Sequence, residues 1–358
     1  MHNESVLLRL KSVPHRVGKG ALAASAALFS GYDKMFVLVD ENTEKYCLPF
    51  FRQLLPEVAP AGIVRIKSGE VHKNIHTTIS IWEQLTRLHA GRDALLINLG
   101  GGVITDIGGF AATTYKRGID FINIPTTLLG QVDAAIGSKT GIDFQEYKNH
   151  VGLFADPKGV IADPLFLDTL PDRFLRSGFA EMIKYALIMD TPLWDRMNGK
   201  PFDALHSLLD SLMVMSVQDK ITVVEKDKHE SGWRKILNFG HTVGHALETF
   251  LMKTDHPATH GEAVAAGMIC ATRISEEWAG FPRAGSRDIY RMIDRNFRRL
   301  LFSEKDIPAL LLLMRQDKKN KGGKLHFTLL KRPGEAVPDI KVPEESVEES
   351  LRFYLRNQ

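Results

Sequence analysis

The segment that most restricts the fold is ALLINLGGGVITDIGGF, residues 94–110, an apolar run that breaks into glycines and then resumes. A strand without polar alternation has both faces covered, as in a parallel sheet with helices on either side. MFVLVD (35–40) is a similar short run, IVRIK (63–67) alternates with period two, and FINIP (121–125) reads as another strand. Between IVRIK and the glycine run, Ile79, Trp82, Leu85 and Leu88 recur at helical spacing. Strands separated by helical stretches predict an α/β domain built on a parallel sheet.

From about Pro171 the pattern changes. FLRSGFAEMIKYALI, ALHSLLDSLMVMSV, LNFGHTVGHALETFL and GEAVAAGMICATRI all keep helical periods. At about 150 residues per domain, a chain of 358 residues makes two domains. The expected division is an α/β domain over 1–170 and a mainly α-helical domain over 171–358. The closing stretch VPEESVEESLRFYL reads as a short surface helix without evident chemistry.

Charge and cysteine content narrow the partners. Forty-six Lys and Arg against 43 Asp and Glu leave a net charge of +3, which argues against a nucleic-acid partner by bulk charge. Cys47 and Cys270 are the only cysteines. They exclude a disulfide framework and an all-cysteine zinc site, and they fit a reducing compartment. The N-terminus carries Glu4 and has no basic-then-apolar signal pattern. Charge-free stretches such as 20–32 are shorter than the ~18 apolar residues of a membrane span. A cytoplasmic protein with no membrane association is expected.

Three constellations carry chemistry. The first is the glycine run, with Gly100, Gly101, Gly102, Gly108 and Gly109. A strand that ends in glycines lets backbone N–H groups and a helix N-terminus approach a pyrophosphate. The spacing is not GxGxxG, so a plain tight turn is the alternative. Asp40, at a strand end, could accept from a ribose hydroxyl or cap a helix. Glu70 and Lys73 follow another strand in SGEVHKN.

The second comprises His241 and His245, four apart on a helix, with His260 in HGE and Glu181 in GFAEMIKYALI. Two or three imidazoles plus a carboxylate suit Zn²⁺ with one open position. The plain alternative for Glu181 is an i, i+3 ion pair with Lys184. The third is a set of cations: Lys139, Lys148, Lys184, Lys220, Arg234 and Lys318. Several lie in glycine-bearing or apolar segments rather than in charge runs. A small, doubly anionic substrate needs such a set; otherwise these are solvated side chains.

Taken together, the motifs resemble the 3-dehydroquinate synthase family of sugar phosphate cyclases. The blocks that carry the resemblance are GGGVITDIGGFAATTYKRG, PTTLLGQVDAAIGSKTGID, YKNHVGLF, LDTLP, GFAEMIKYALI, KHESGWRKILNFGHTVGHALE, HGEAVAAGM and DKK. They run from about Val37 to Leu330. The resemblance implies a Rossmann-like domain that binds NAD⁺, a helical domain that binds a divalent metal (Zn²⁺, with Co²⁺ also possible), and an active site between them. It assigns the metal to Glu181, His241 and His260, and moves His245 to the substrate. It assigns NAD⁺ to Asp40, Glu70, Lys73, Gly101, Gly102, Val103, Asp106, Thr126, Thr127, Lys148, Thr169 and Leu170. The substrate falls to Asp133, Lys139, Asn149, Lys184, Lys220, Arg234, Asn238, His245 and Lys318, with Lys318 preferred to Lys319. Arg117 resembles the arginine that reaches a neighbouring subunit's site, which implies a homodimer.

Two departures stand out. Ser138 occupies a usual glycine position, and Ala155–Asp156 replaces an aromatic or His followed by Gln.

The implied reaction converts 3-deoxy-D-arabino-heptulosonate 7-phosphate, a phosphorylated sugar acid, to 3-dehydroquinate and phosphate. NAD⁺ is used and regenerated within each turnover. The rival readings are another sugar phosphate cyclase, a metal-dependent polyol dehydrogenase that consumes NAD⁺, and a non-catalytic NAD-binding protein. The full cation set, with Leu237–Asn238 before the first metal histidine, favours the carboxylate-bearing substrate.

Overall fold

The computed structural model describes residues 5–145, 147–316 and 325–356. The chain divides into two compact units, Met1–Pro171 and Asp172–Gln358.

The first unit contains strands β1 (Val6–Leu10), β2 (Val13–Val17), β3 (Met35–Val39), β4 (Gly62–Arg65), β5 (Leu95–Gly100), β6 (Asp120–Pro125), β7 (Lys139–Phe144), β8 (Tyr147–Phe154) and β9 (Val160–Ala162). Its longer helices are α1 (Glu41–Tyr46), α2 (Leu48–Leu54), α3 (Ile75–Arg87) and α4 (Gly102–Thr114). Seven strands form one sheet in the order β1-β2-β9-β6-β5-β3-β4. The β1–β2 pair is antiparallel and the remaining neighbours are parallel. All six residues of β5 are buried. The period of two explains how: Phe36 and Leu38 of β3 join one core layer with Leu96, Ile104 and Ile107. Val37 and Val39 join the opposite layer with Leu95, Ile97 and Leu99. Each such side chain contributes roughly 1.5–3 kcal/mol by leaving water. The expected parallel sheet is therefore present. Not anticipated was the antiparallel β7–β8 ribbon, whose glycines and polar residues mask a strand pattern.

The second unit comprises α5 (Asp172–Ile188), α6 (Thr191–Met197), α7 (Phe202–Leu205), α8 (Leu209–Lys226), α9 (His241–Leu251), α10 (His260–Trp278), α11 (Arg283–Asn296), α12 (Ile307–Gln316) and α13 (Glu344–Arg356), with an antiparallel pair β10 (Leu325–Arg332) and β11 (Glu335–Val342). It is mainly helical, as the apolar periods imply, but two runs are broken. ALHSLLDSLMVMSV passes through a 3₁₀ turn at His206–Leu208 before α8 begins. LNFGHTVGHALETFL is 3₁₀ up to Asn238 and turns at Gly240, whose φ of 77° is left-handed, so α9 starts at His241. α13 is more than a surface helix. Val347, Ser350, Leu351 and Tyr354 form a buried stripe, and the Tyr354 hydroxyl accepts from the Leu300 N–H at 2.7 Å.

Candidate functional site

In the second unit, α5 is buried continuously from Ser177 to Ile188, which puts Glu181 and Lys184 one turn apart inside the unit. The Glu181 carboxylate is fully buried. Its Oε1 faces Nε2 of His241 at 3.5 Å and Nε2 of His260 at 3.4 Å, while its Oε2 pairs with the Lys184 ammonium. The plain ion-pair alternative for Glu181 is thus realised alongside the histidine cluster. One ligand atom from each of Glu181, His241 and His260 lies within 4.8 Å of the others. The His245 ring stands beside them, its centroid 5.1 Å from that of His241 and 6.0 Å from that of His260.

The close approach of α10 to α5 depends on Gly261. A Cβ there would collide with the Ser177 backbone, whose Oγ accepts from the Gly261 N–H at 2.9 Å.

Both histidines of the cluster have their second nitrogen occupied. His241 Nδ1 lies 3.1 Å from the Phe239 carbonyl, and His260 Nδ1 lies 3.2 Å from Glu248 Oε2. Burial opposes charge on His260, but Glu248 and Glu181 outweigh it and hold the pKa up at about 10. Glu248 was missed by the sequence reading. The signal for it was present in HTVGHALE, where it falls three residues after His245 and seven after His241, on the same face of α9. A carboxylate and two imidazoles whose outer nitrogens are already committed fit a divalent ion with an open position.

Among the described residues of this unit three cations are deeply placed, with Lys184, Lys220 and Arg234 at 1%, 6% and 2% exposure. Lys and Arg are almost never buried to this degree without anionic or carbonyl partners. Asp227 organises the loop that carries Arg234, accepting from the N–H groups of Ser231, Gly232 and Arg234. Burial works against that carboxylate, and the three donors outweigh it, bringing its pKa down to about 2. Arg234 Nη1 donates to the Lys228 carbonyl at 2.6 Å, and Asn238 Nδ2 donates to Glu230 Oε1 at 3.0 Å. Lys318 and Lys319 lie outside the described residues.

In the first unit, Gly101 precedes the 13-residue α4, and a Cβ on it would come within 2.9 Å of the Thr127 methyl. Bare backbone and a helix N-terminus therefore meet beside Thr126, Thr127, Gly102 and Val103. This fits a pyrophosphate. Lys73 is buried, and its ammonium donates to Asp106 Oδ2 and Asn149 Oδ1, each at 2.5 Å. Burial disfavours the charge of Lys73, but Asp106 and Glu70 dominate and raise its pKa. Burial raises that of Asp106, although Lys73 pulls against it. Lys148 Nζ lies 3.6 Å from Glu70 Oε1. Glu70, Lys73, Asp106 and Lys148 thus gather with Asn149, which the resemblance assigns to substrate.

The remaining candidates of this unit lie on its other elements. Asp40 caps α1, with Oδ1 accepting from the Thr43 N–H at 2.8 Å, so its capping alternative is realised. Lys139 opposes Phe154 at the open end of the β7–β8 ribbon, while Asn149 lies near its turn. Asp133 sits in the π-helical turn Gly130–Ala134. Thr169 ends the 3₁₀ turn that begins at Pro164, with Leu170 following it. Arg117 is exposed at a left-handed φ of 71°. The two departures meet: Ser138, at a φ of 62°, donates its hydroxyl to Asp156 Oδ1.

Comparison with known proteins adds the following. Family models described as 3-dehydroquinate synthase N-terminal and C-terminal match residues 63–177 and 178–320. The 3-dehydroquinate synthase of Parabacteroides distasonis is 43% identical over 324 residues, 90% of this chain and 92% of that protein. The one from Acidithiobacillus ferrooxidans is 36% identical over 363 residues, 100% of this chain and 99% of its own. Among solved structures, 2-epi-5-epi-valiolone synthase of Streptomyces hygroscopicus, with NAD⁺ and Zn²⁺ bound, has a TM-score of 0.84 at 25% identity, covering 99% of this chain and 100% of that one. An iron-containing alcohol dehydrogenase of Thermotoga maritima has a TM-score of 0.65 at 14% identity, covering 98% and 100%, and shares the fold alone.

Proposed function

The chain belongs to the 3-dehydroquinate synthase family, and from that premise we propose how its residues carry out the family's reaction. It converts 3-deoxy-D-arabino-heptulosonate 7-phosphate to 3-dehydroquinate and phosphate. The fold alone does not select this reaction, since a valiolone synthase shares it at 25% identity; the 43% identity to a 3-dehydroquinate synthase does.

In this reading Glu181, His241 and His260 hold a divalent metal, zinc or cobalt. Gly101, Gly102, Val103, Thr126 and Thr127 receive the pyrophosphate of NAD⁺, with Asp40, Glu70, Lys73, Asp106, Lys148, Thr169 and Leu170 around the rest of the cofactor. When bound, NAD⁺ supplies reversible hydride transfer at the substrate's C5 alcohol, and the metal supplies a Lewis acid for that oxygen. The chain's own residues bind and orient. Lys184, Lys220, Arg234, Asn238 and His245, with Lys318, hold the carboxylate and phosphate, and Asp133, Lys139 and Asn149 complete the substrate set. Cations held in a dry interior act more strongly than in water and need no rearrangement as charge develops. The proton lost during elimination goes to the departing phosphate, which leaves the protein the tasks of orientation and containment.

Arg117 serves a second copy of the chain, which makes the enzyme a homodimer. No helix among the described residues is long and apolar enough to cross a membrane.

The observation that carries the reading is the convergence of two imidazole Nε2 atoms on Glu181 Oε1. The test is phosphate release from the heptulosonate phosphate before and after removal of metal by a chelator. Activity should vanish on removal and return with Zn²⁺ or Co²⁺. Full turnover by protein shown to be metal-free would remove the metal from the account.

A further inference from the structure

We propose that Glu248 is the positioning residue that makes His260 a metal ligand, an inference that rests on the metal reading above. Glu248 is buried and sits on α9, the helix that also provides His241. Its Oε2 lies 3.2 Å from His260 Nδ1, on α10. An ionised carboxylate only accepts, so the proton of this contact belongs to Nδ1. The lone pair available for a metal is then on Nε2, the atom that faces Glu181 Oε1 at 3.4 Å.

The other two ligands have comparable outer contacts. His241 Nδ1 meets the Phe239 carbonyl, and Glu181 Oε2 meets Lys184, one turn along α5. Glu248 differs from both because it ties a ligand to a different helix. It fixes the rotation of the His260 ring about its Cβ bond against α9, so one helix delivers a ligand and orients a second. A histidine whose outer nitrogen is held by a carboxylate is also a stronger donor to a metal.

Two effects of Glu248 oppose each other in the metal-free protein. It orients His260, and it stabilises the protonated ring with which a metal must compete. If orientation dominates, removing the carboxylate weakens metal binding. If charge stabilisation were its whole role, removal would leave binding unchanged or tighter.

The experiment measures zinc affinity of the purified full-length chain by competition with a chromophoric chelator, for wild type, Glu248→Gln and Glu248→Ala. Both variants should bind zinc about 10–100-fold more weakly, with Gln, which keeps an acceptor oxygen, less affected than Ala. The visible spectrum of the cobalt-loaded protein should change in Glu248→Ala, while NAD⁺ affinity should not. His245→Ala is the control on the same helix and should keep wild-type zinc affinity. Wild-type or tighter zinc binding in both Glu248 variants overturns the proposal. If Glu248→Ala does not fold, the nearly isosteric Gln variant decides alone. The readout is separate from turnover. Zinc weakening in a protein that releases no phosphate would sink the functional reading and leave Glu248's role standing.

Discussion

Arg234 illustrates what a single side chain does in this account. It is almost fully buried, with Nη1 on the Lys228 carbonyl and a loop shaped by Asp227 beneath it. A planar, two-pronged donor held this way matches a carboxylate or phosphate, and a lysine cannot reproduce it. Arg234→Lys is expected to lose about 2–5 kcal/mol of transition-state stabilisation, read as kcat/KM, with NAD⁺ affinity retained. Near-normal kcat/KM would make Arg234 structural.

Ser138 is a second case. A serine at a left-handed φ of 62° is strained, and its bond to Asp156 offsets the strain. Asp156→Ala should therefore be more damaging in the wild type than in Ser138→Gly, with a coupling of about 1–3 kcal/mol in denaturation. Additive losses would contradict this. At this scale the sequence was legible where a residue type has few alternatives. Glu181 among apolar neighbours called for a partner, and it has Lys184 as well as the two histidines. Spacing pointed equally to His245, because i, i+4 places two rings on one helix face without saying which nitrogen turns toward the carboxylate.

At the scale of elements, three helices deliver the cluster, and their separation is set by small residues. At Gly261 even one added methyl would press on the α5 backbone at Ser177. Gly261→Ala should cost about 1–3 kcal/mol or more by overpacking, and should lower bound zinc per chain as α10 is pushed away. Unchanged melting and metal content would show that the helices can yield.

Between α8 and the start of α6, burial, then the charge and hydrogen bond of Asp190, raise the Asp219 pKa from 3.8 to about 8. The folded chain holds this proton more tightly than the unfolded chain does. The stabilisation is complete below pH 3.8 and is lost as pH rises toward 8. Asp219→Asn does not undergo that loss, so its stability relative to wild type should grow by roughly 1 kcal/mol or more between pH 4 and 8. Parallel denaturation curves for the two proteins across that range would refute the pairing. The break at Gly240 shows why helix boundaries escaped the sequence reading. Apolar periodicity continues through Leu237–Leu251 although the backbone does not, and only a glycine's left-handed φ marks the new start.

For the whole molecule, the architecture was readable because β3 and β5 are apolar on both faces and the second half keeps a helical period. The antiparallel ribbons were not, since Lys139–Phe144 and Tyr147–Phe154 mix glycine, charge and exposed apolar residues without alternation. The cluster around Lys73 could not be assembled from composition or period either. Its partners Asp106 and Asn149 are 33 and 76 positions away in the chain. They became candidates through motif resemblance, and the fold brings them to one ammonium.

In the proposed reaction the cofactor ends each cycle as it began. An oxidation followed by a re-reduction would return NAD⁺ unchanged, whereas a dehydrogenase reaction would spend it. The decisive measurement is the number of turnovers per NAD⁺, with phosphate and NADH followed together at NAD⁺ far below the heptulosonate phosphate concentration. Phosphate release should continue to exhaustion of the substrate with no net accumulation of NADH. Phosphate release that stops after one equivalent of NAD⁺, or NADH appearing one-for-one with product, would contradict the account.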